Sequence, residues 1–304
     1  MQHSLKISIL LYIFGCFYMV FGAYITASSV KSYTNRLFVF MTSTLAIWAF
    51  AYSIGNSAPT AEAGAFWLSV AVLGWGVFYS VFFHFTLILT GTKLLVKKGV
   101  AHALIYIPSI INVILFAPFG VLKDQQYLLV PSDFGWINVM PLTPGDIWFM
   151  IYYAVFSISS LVFLIRWRIK IDPQDPLKKH ATYVLISAHI PLVLGLITET
   201  LHAILGISEF PKLAVTFMIA PVLTLFSTLR KINLIVKRER ERIVSRESKE
   251  LLEEDRLRLF QIVAAVYTAG SAITFLIRYF GINMPLKQEL FVSALFLATG
   301  VVLR

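Results

Sequence analysis

Cysteine is almost missing. Cys16 is the only one in 304 residues, so no disulfide can form within the chain. It lies inside an apolar run and reads as a packing residue. Charge is scarce as well: 14% of residues are charged against 58% hydrophobic, and mean hydropathy is +0.78. A soluble domain carries about 25% charged and about 45–50% apolar residues, so the composition excludes one and specifies an integral membrane protein. Catalytic signatures are missing too. There is no Gly-x-x-x-x-Gly-Lys-Ser/Thr phosphate loop, no Gly-x-Ser-x-Gly elbow and no His-Glu-x-x-His pair. The reading therefore assigns no catalytic residue, no metal set and no cofactor. The net charge of +10 does not mark a nucleic-acid partner, because the basic residues sit in short loops and after the last apolar segment.

Glycine and proline are absent from Val222 to Arg258, and nothing else there signals a turn. The stretch begins apolar at Thr216, passes through Arg230 and Lys231, and continues as Lys237-Arg238-Glu239-Arg240-Glu241-Arg242. A helix that leaves a membrane and continues into water has this pattern. Pairs such as Lys237/Glu241, Arg246/Glu250 and Glu254/Arg258 stand at helical spacing and support the soluble half. Arg230, Lys231, Ile232, Val236 and Ile243 are the candidate signal-output residues. Leu229, Val236, Ile243 and Leu257 recur at heptad spacing, but Glu250 breaks the series, so the reading expects only a marginal pairing of two copies.

Seven apolar segments precede the charged stretch, roughly 7–28, 37–55, 66–90, 101–119, 147–165, 181–205 and 213–235. Each approaches the roughly 20 residues that cross a hydrocarbon core, and only helices can do so with open ends. The first could be a signal peptide. Its apolar run continues well past Cys16, however, so it is kept as a spanning helix. Loop charge sets the orientation. Connections after segments one, three and five hold ten basic residues (Lys31 and Arg36, Lys93 to Lys98, Arg166 to Lys179), whereas those after two, four and six hold Lys123 and Lys212 alone. The expectation is an inner-membrane, multi-pass protein with its amino terminus outside and the charged helix inside. Between Gly120 and Gly145, two β-prone runs flank Pro131-Ser132-Asp133-Phe134-Gly135, which suggests a small hairpin over the outer mouth. Pro108, Pro191 and Pro221 lie inside segments and can kink them.

The fold class expected is all-α: a polytopic membrane helix bundle of seven transmembrane helices, a cytoplasmic signalling helix and an extra hydrophobic hairpin. Residues 1–236 form the sensor bundle and 237–258 the output helix. Residues 259–304 form the hairpin or the start of a truncated domain, the second apolar run stopping at Arg304 as if cut.

Ionisable groups inside spanning segments are costly and are functional candidates by default. His84 lies in the inner third of segment three and His189 near the middle of segment six. Glu199 and His202 lie toward the outer end of segment six, three residues apart and so on one face. Glu199 and His202 could bind a cationic group, a metal or a proton, or simply satisfy each other; alone they cannot complete a metal site. His84 and His189 could face each other and hold a haem. His180 reads as a snorkelling loop residue. Trp67, Trp75, Trp136 and Trp148 fall in the outer half as an interface belt, and Trp136 and Trp148 are also candidates for a ligand site. Asn56 and Asn112 are polar spots able to join helices.

The run Phe83-His84-Phe85-Thr86-Leu87-Ile88-Leu89-Thr90-Gly91, with Gly135-Trp136 ahead of Pro144-Gly145 and a charged helix after segment seven, resembles the seven-helix amino-terminal sensor region of bacterial histidine kinases. Similar regions are attached to diguanylate cyclases. The likeness covers roughly residues 5–250. It implies a receptor for a small ligand, a homodimer, and a cytoplasmic output domain or partner protein reached through the last helix. No kinase or cyclase motif follows here. The competing readings are a small-solute or proton-coupled transporter or channel using Glu199 and His189, and a haem-binding membrane redox protein.

Overall fold

The computed structural model describes residues 2–28, 32–92, 98–122, 127–139, 143–195, 197–198 and 212–241. It is an all-α polytopic helix bundle. In chain order the helices are α1 (Gln2–Ser28), α2 (Tyr33–Asn56), α3 (Ala61–Val70), α4 (Val72–Leu89), α5 (Lys98–Phe116), α6 (Pro144–Lys170), α7 (Leu177–Gly195), α8 (Ala214–Phe217) and α9 (Ile219–Glu241). Among the described residues, six helical stretches are long and apolar enough to cross a membrane; α3 with α4, and α8 with α9, each count as one. The described part of the sixth segment, α7, begins with Lys178 and Lys179 in its first turn and is not among the six. The expected extra hairpin at 259–304 lies outside the described residues.

Neighbours follow the chain. α1 lies along α2, α2 along α4, α4 along α6, α6 along α7, and α7 along α9, which returns to α1. α5 packs on the outer side of α4. Its outer face (Leu104, Ile107, Ile114) and that of α6 (Ile151, Ile158, Ile169) are exposed, as side chains meeting lipid tails must be. Without a hydrophobic drive between helices in lipid, close backbone approach and polar bonds hold such a bundle. α1 and α2 are joined by polar bonds at one end. Asn56 Nδ2 donates to Ser4 O (3.2 Å), Ser4 Oγ donates to Asn56 O (3.0 Å), and Ser53 Oγ donates to Ser8 O (2.7 Å). Asn56 thus joins helices at the end of segment two.

The expected hairpin is present at that same end. β1 (Leu128–Ser132) pairs antiparallel with β2 (Gly135–Val139) around Asp133 and Phe134. Gly135 has φ +114, and a Cβ there would come within 2.5 Å of Asn56 O, so both conformation and space call for glycine. α6 starts at a capping box. Thr143 Oγ1 accepts from the Asp146 amide (3.3 Å), and the Asp146 carboxylate accepts from the Thr143 amide (2.8 Å). Tyr127 lies nearby and donates to Phe116 O (3.2 Å). Burial, then the Asp146 charge, pushes its phenol well above the ordinary value, so it stays a donor.

Segment seven is interrupted. α8 ends at Phe217, Met218 forms a turn, and α9 restarts at Ile219 with Pro221 in its first turn. Pro221 removes the amide that would bond the carbonyl of Phe217. The buried Tyr18 hydroxyl on α1 donates to Val215 O and ties the break to the opposite helix.

Candidate sensory site

Two polar clusters and one crevice stand out among the described residues. The first cluster fixes α4 to α5 and α6. Asn112 is fully buried; its Nδ2 donates to Gly76 O (3.1 Å) and its Oδ1 accepts from Trp148 Nε1 (2.9 Å). Four to five residues along α4, Ser80 Oγ donates to Ile105 O (2.6 Å), and the Tyr152 hydroxyl lies 3.1 Å from both Ser80 N and Oγ. Trp148 is therefore a structural donor across three helices. Asn112→Leu keeps the branched shape but strands the Trp148 N–H. We expect a loss of about 1–2 kcal/mol, seen as a lower thermal midpoint in detergent. Adding Trp148→Phe should return part of the loss, because both partners are then apolar; no recovery in the double variant would show that the bond carries little.

The second cluster sits at the basic end, around His84. Its ring is buried. Nδ1 lies 2.8 Å from the Tyr106 hydroxyl, Nε2 lies 3.4 Å from the Tyr33 hydroxyl, and the His102 ring centroid is 5.0 Å away. Tyr33, in turn, has the Arg36 guanidinium over its face. His84 thus links α2, α4 and α5. His189 is bonded within its own helix, Nδ1 to Leu185 O at 2.7 Å. The two histidines thus have separate hydrogen-bond partners. Among the described residues, no three His, Cys, Asp or Glu side chains converge as a metal-binding group. Glu199 and His202 lie outside the described residues.

The tryptophans divide differently from a belt. Trp67 and Trp75 are buried in the chain's own core, Trp75 against Phe116 and Phe149. Trp136 donates from Nε1 to Ala58 O (2.8 Å) and anchors the hairpin to the end of α2. The girdle pattern in sequence came from helices that turn these rings inward.

The crevice lies at mid-height. Phe78 and Phe82 of α4, Ser157 of α6, Pro191 of α7, and Met218 and Pro221 at the α8–α9 break line a narrow crevice, open on one side, with room for about one water molecule. Segments three, five, six and seven all contribute to its walls. Sequence inspection missed it. Its lining is apolar apart from Ser157 and the Tyr79 phenol, and no motif marks such a site.

At the basic end, α9 leaves the bundle. Val222, Leu225 and Leu229 are buried against it. Lys231 comes close enough to His180, in the first turn of α7, to act on its titration. Burial first, then Lys231 and Lys179, lowers the His180 imidazole below its ordinary value. Ile232 and Val236 lie on the α9 backbone, whereas Ile243 lies outside the described residues. Leu229, the first position of the heptad series, is spent inside the subunit and is not available to a second copy.

A membrane bundle whose last helix runs out into a charged stretch is the shape of a receptor half. The model of the N-terminal 7TM region of histidine kinase matches residues 7–234, about three quarters of the chain. The chain belongs to that family. No curated protein and no solved structure matches it. Membership makes it a multi-pass membrane sensor module, working with a cytoplasmic output partner.

Proposed function

We propose that this histidine-kinase sensor region detects a small external or intramembrane ligand and passes the change through α9 to a cytoplasmic output domain or partner protein, as a homodimer in the inner membrane. One observation carries the reading. α9 runs without interruption from buried positions in the bundle to the charged run ending at Glu241. A change in how the core holds Val222, Leu225 and Leu229 must therefore turn or shift the charged end, because a helix transmits rotation along its length. Seven spans, with segment 181–205 as the sixth, put the two ends of the bundle on opposite sides. The ten-to-two bias in basic residues assigns the amino terminus to the outside and α9 to the inside.

The test is cysteine accessibility in intact cells, with Cys16 replaced by Ser. Cysteines at Glu62 and Asp133, both exposed at the hairpin end, should react with a membrane-impermeant maleimide. Cysteines at Asp172 and Gln174, exposed at the other end, should react only after the membrane is opened. The reverse pattern would put α9 outside and remove the output role.

A further inference from the structure

We infer that the seam between α7 and α9 binds an anionic phospholipid at the basic end of the bundle, its phosphate on Lys179 and Arg230 and an acyl chain along the exposed faces of both helices. The inference concerns a lipid partner and does not depend on the ligand of the sensor reading.

The first support is the register of the two helices. Ser187 Oγ lies 2.7 Å from Thr224 Oγ1, which fixes where α7 and α9 touch. His180 lies seven residues before Ser187, and Lys231 seven after Thr224. The Lys231 charge acts on the His180 imidazole, so the helices run antiparallel and both residues end the seam, about 10 Å from that bond. One residue back on each helix stand Lys179 and Arg230, both exposed. One step turns about 100° away from the seam. In an antiparallel pair, steps of the same sign lead to the same side, so the two cations flank one face.

The second support is what that face carries. Below Lys179 come Tyr183, Ile186 and Ile190 on α7, and below Arg230 come Ser227 and Leu223 on α9, all exposed. Steps of three and four keep each row in line with its cation. Lys179 Nζ lies 5.8 Å from the Tyr183 ring centre, with the amphipathic ring between charge and hydrocarbon. Phosphate, glycerol ester and acyl chain follow one another in the same order.

The third support is missing counter-charge. Arg168 Nε donates to Thr182 Oγ1 (2.9 Å) and Lys178 Nζ to Ile171 O (3.2 Å), so those two cations are held by the protein. The nearby acids serve the α6–α7 loop: Asp172 accepts from the Gln174 amide (2.8 Å) and Asp175 from the Leu177 amide (2.7 Å). Among the described residues, no carboxylate pairs with Lys179, Arg230 or Lys231. Only burial and cations act on His180 between them. Basic groups between membrane helices at a headgroup level attract acidic lipid. A lipid in this place holds α9 against α7 where α9 leaves the bundle.

The experiment titrates the purified full chain, in neutral detergent, with dioleoylphosphatidylglycerol and reads bound lipid by native mass spectrometry. Retention should exceed that of dioleoylphosphatidylcholine, which has the same chains and no net charge. Glycerol phosphate, a headgroup without chains, should not compete. Lys179→Gln with Arg230→Gln should weaken retention about thirtyfold, at about 1 kcal/mol per cation. Arg166→Gln with Lys170→Gln removes equal charge from the face of α6 opposite Arg168 and should weaken it far less. Location is read with a bimane on Ser227→Cys, in a Cys16→Ser background. Brominated phosphatidylglycerol should quench it at lower fractions than brominated phosphatidylcholine, whereas a bimane on Ile110→Cys, on the lipid face of α5, should respond to both alike. Equal retention of the two lipids, or an equal loss in the α6 pair, reduces the effect to diffuse attraction and overturns the site. Competition by glycerol phosphate makes it a soluble-phosphate site and overturns the lipid. Equal quenching by both lipids at position 227 removes the acyl seat, and the inference with it.

Discussion

Gly74→Val is expected to leave almost no folded protein in the membrane fraction. Gly74 faces α2 where two helix backbones touch. A Cβ there would come within 2.5 Å of Thr44 O and 2.6 Å of Trp48 N. These are backbone atoms of a helix interior, so no side chain can swing away. The helices must separate, and the Thr44–Trp48 face of α2 loses its contact with α4. Overpacking of a tight interior costs about 1–3 kcal/mol when side chains can adjust, and here they cannot. The margin of a folded protein is only about 5–15 kcal/mol. Close approach at small residues is also what holds helices together in lipid, so the attractive part of the interface is lost with the fit. Gly99→Val is the control, because nothing lies within 4 Å of a Cβ at that position. The measurement is the yield of monodisperse protein after extraction, with the thermal midpoint where any is recovered. Normal yield and midpoint for Gly74→Val would mean that α2 and α4 are not in backbone contact.

Gly74 also shows where sequence reading stopped. Hydropathy located the apolar segments, with most helices beginning a turn earlier than the segments do, because a membrane demands length and composition that little else produces. The hairpin was legible for a similar reason: turn chemistry at Ser132-Asp133-Phe134-Gly135 between β-prone runs is a local signal. Asn56 and Asn112 stood out because an amide in an apolar helix needs a partner, and both have one. What a helix faces is not local. Trp67 and Trp75 fall where an interfacial belt belongs, yet their rings point inward. Gly74 is one of 16 glycines, and its apolar neighbours do not say which helix it faces. The break at Met218 was hinted at by Pro221, but its partner Tyr18 sits 197 residues earlier. Ser157 lies among other serines on α6, and only packing reveals that its buried hydroxyl lacks a partner. The candidate site was thus illegible where it is made of ordinary residues brought together by the fold.

Inserting one alanine after Lys231 is expected to abolish crosslinking between copies through cysteines at positions 236 and 243, and four alanines should largely restore it. Val222, Leu225 and Leu229 mark the buried stripe of α9. Positions 236 and 243 fall seven and fourteen residues beyond Leu229. They therefore continue that stripe past the bundle, within about 40° at roughly 100° per residue. Inside the bundle the stripe is covered by the chain itself. Beyond it, the sequence carries the same spacing on through Val236 and Ile243, and a second copy presenting the same series can pair with it. The broken heptad at Glu250 makes this pairing weak, which suits a contact that the bundle tips from one state to another. Val236→Cys and Ile243→Cys should thus crosslink in native membranes under mild oxidant, with Cys16 replaced. One inserted alanine turns both cysteines by about 100°, away from the partner, and leaves the bundle untouched. Four turn them by about 400°, which brings them back to within about 40° of the seam. A passive tether would ignore the phase, and crosslinking would then be the same for every insertion length. No crosslinks at either position without an insertion would instead favour a basic amphipathic helix lying on the membrane surface, its apolar stripe covered by lipid.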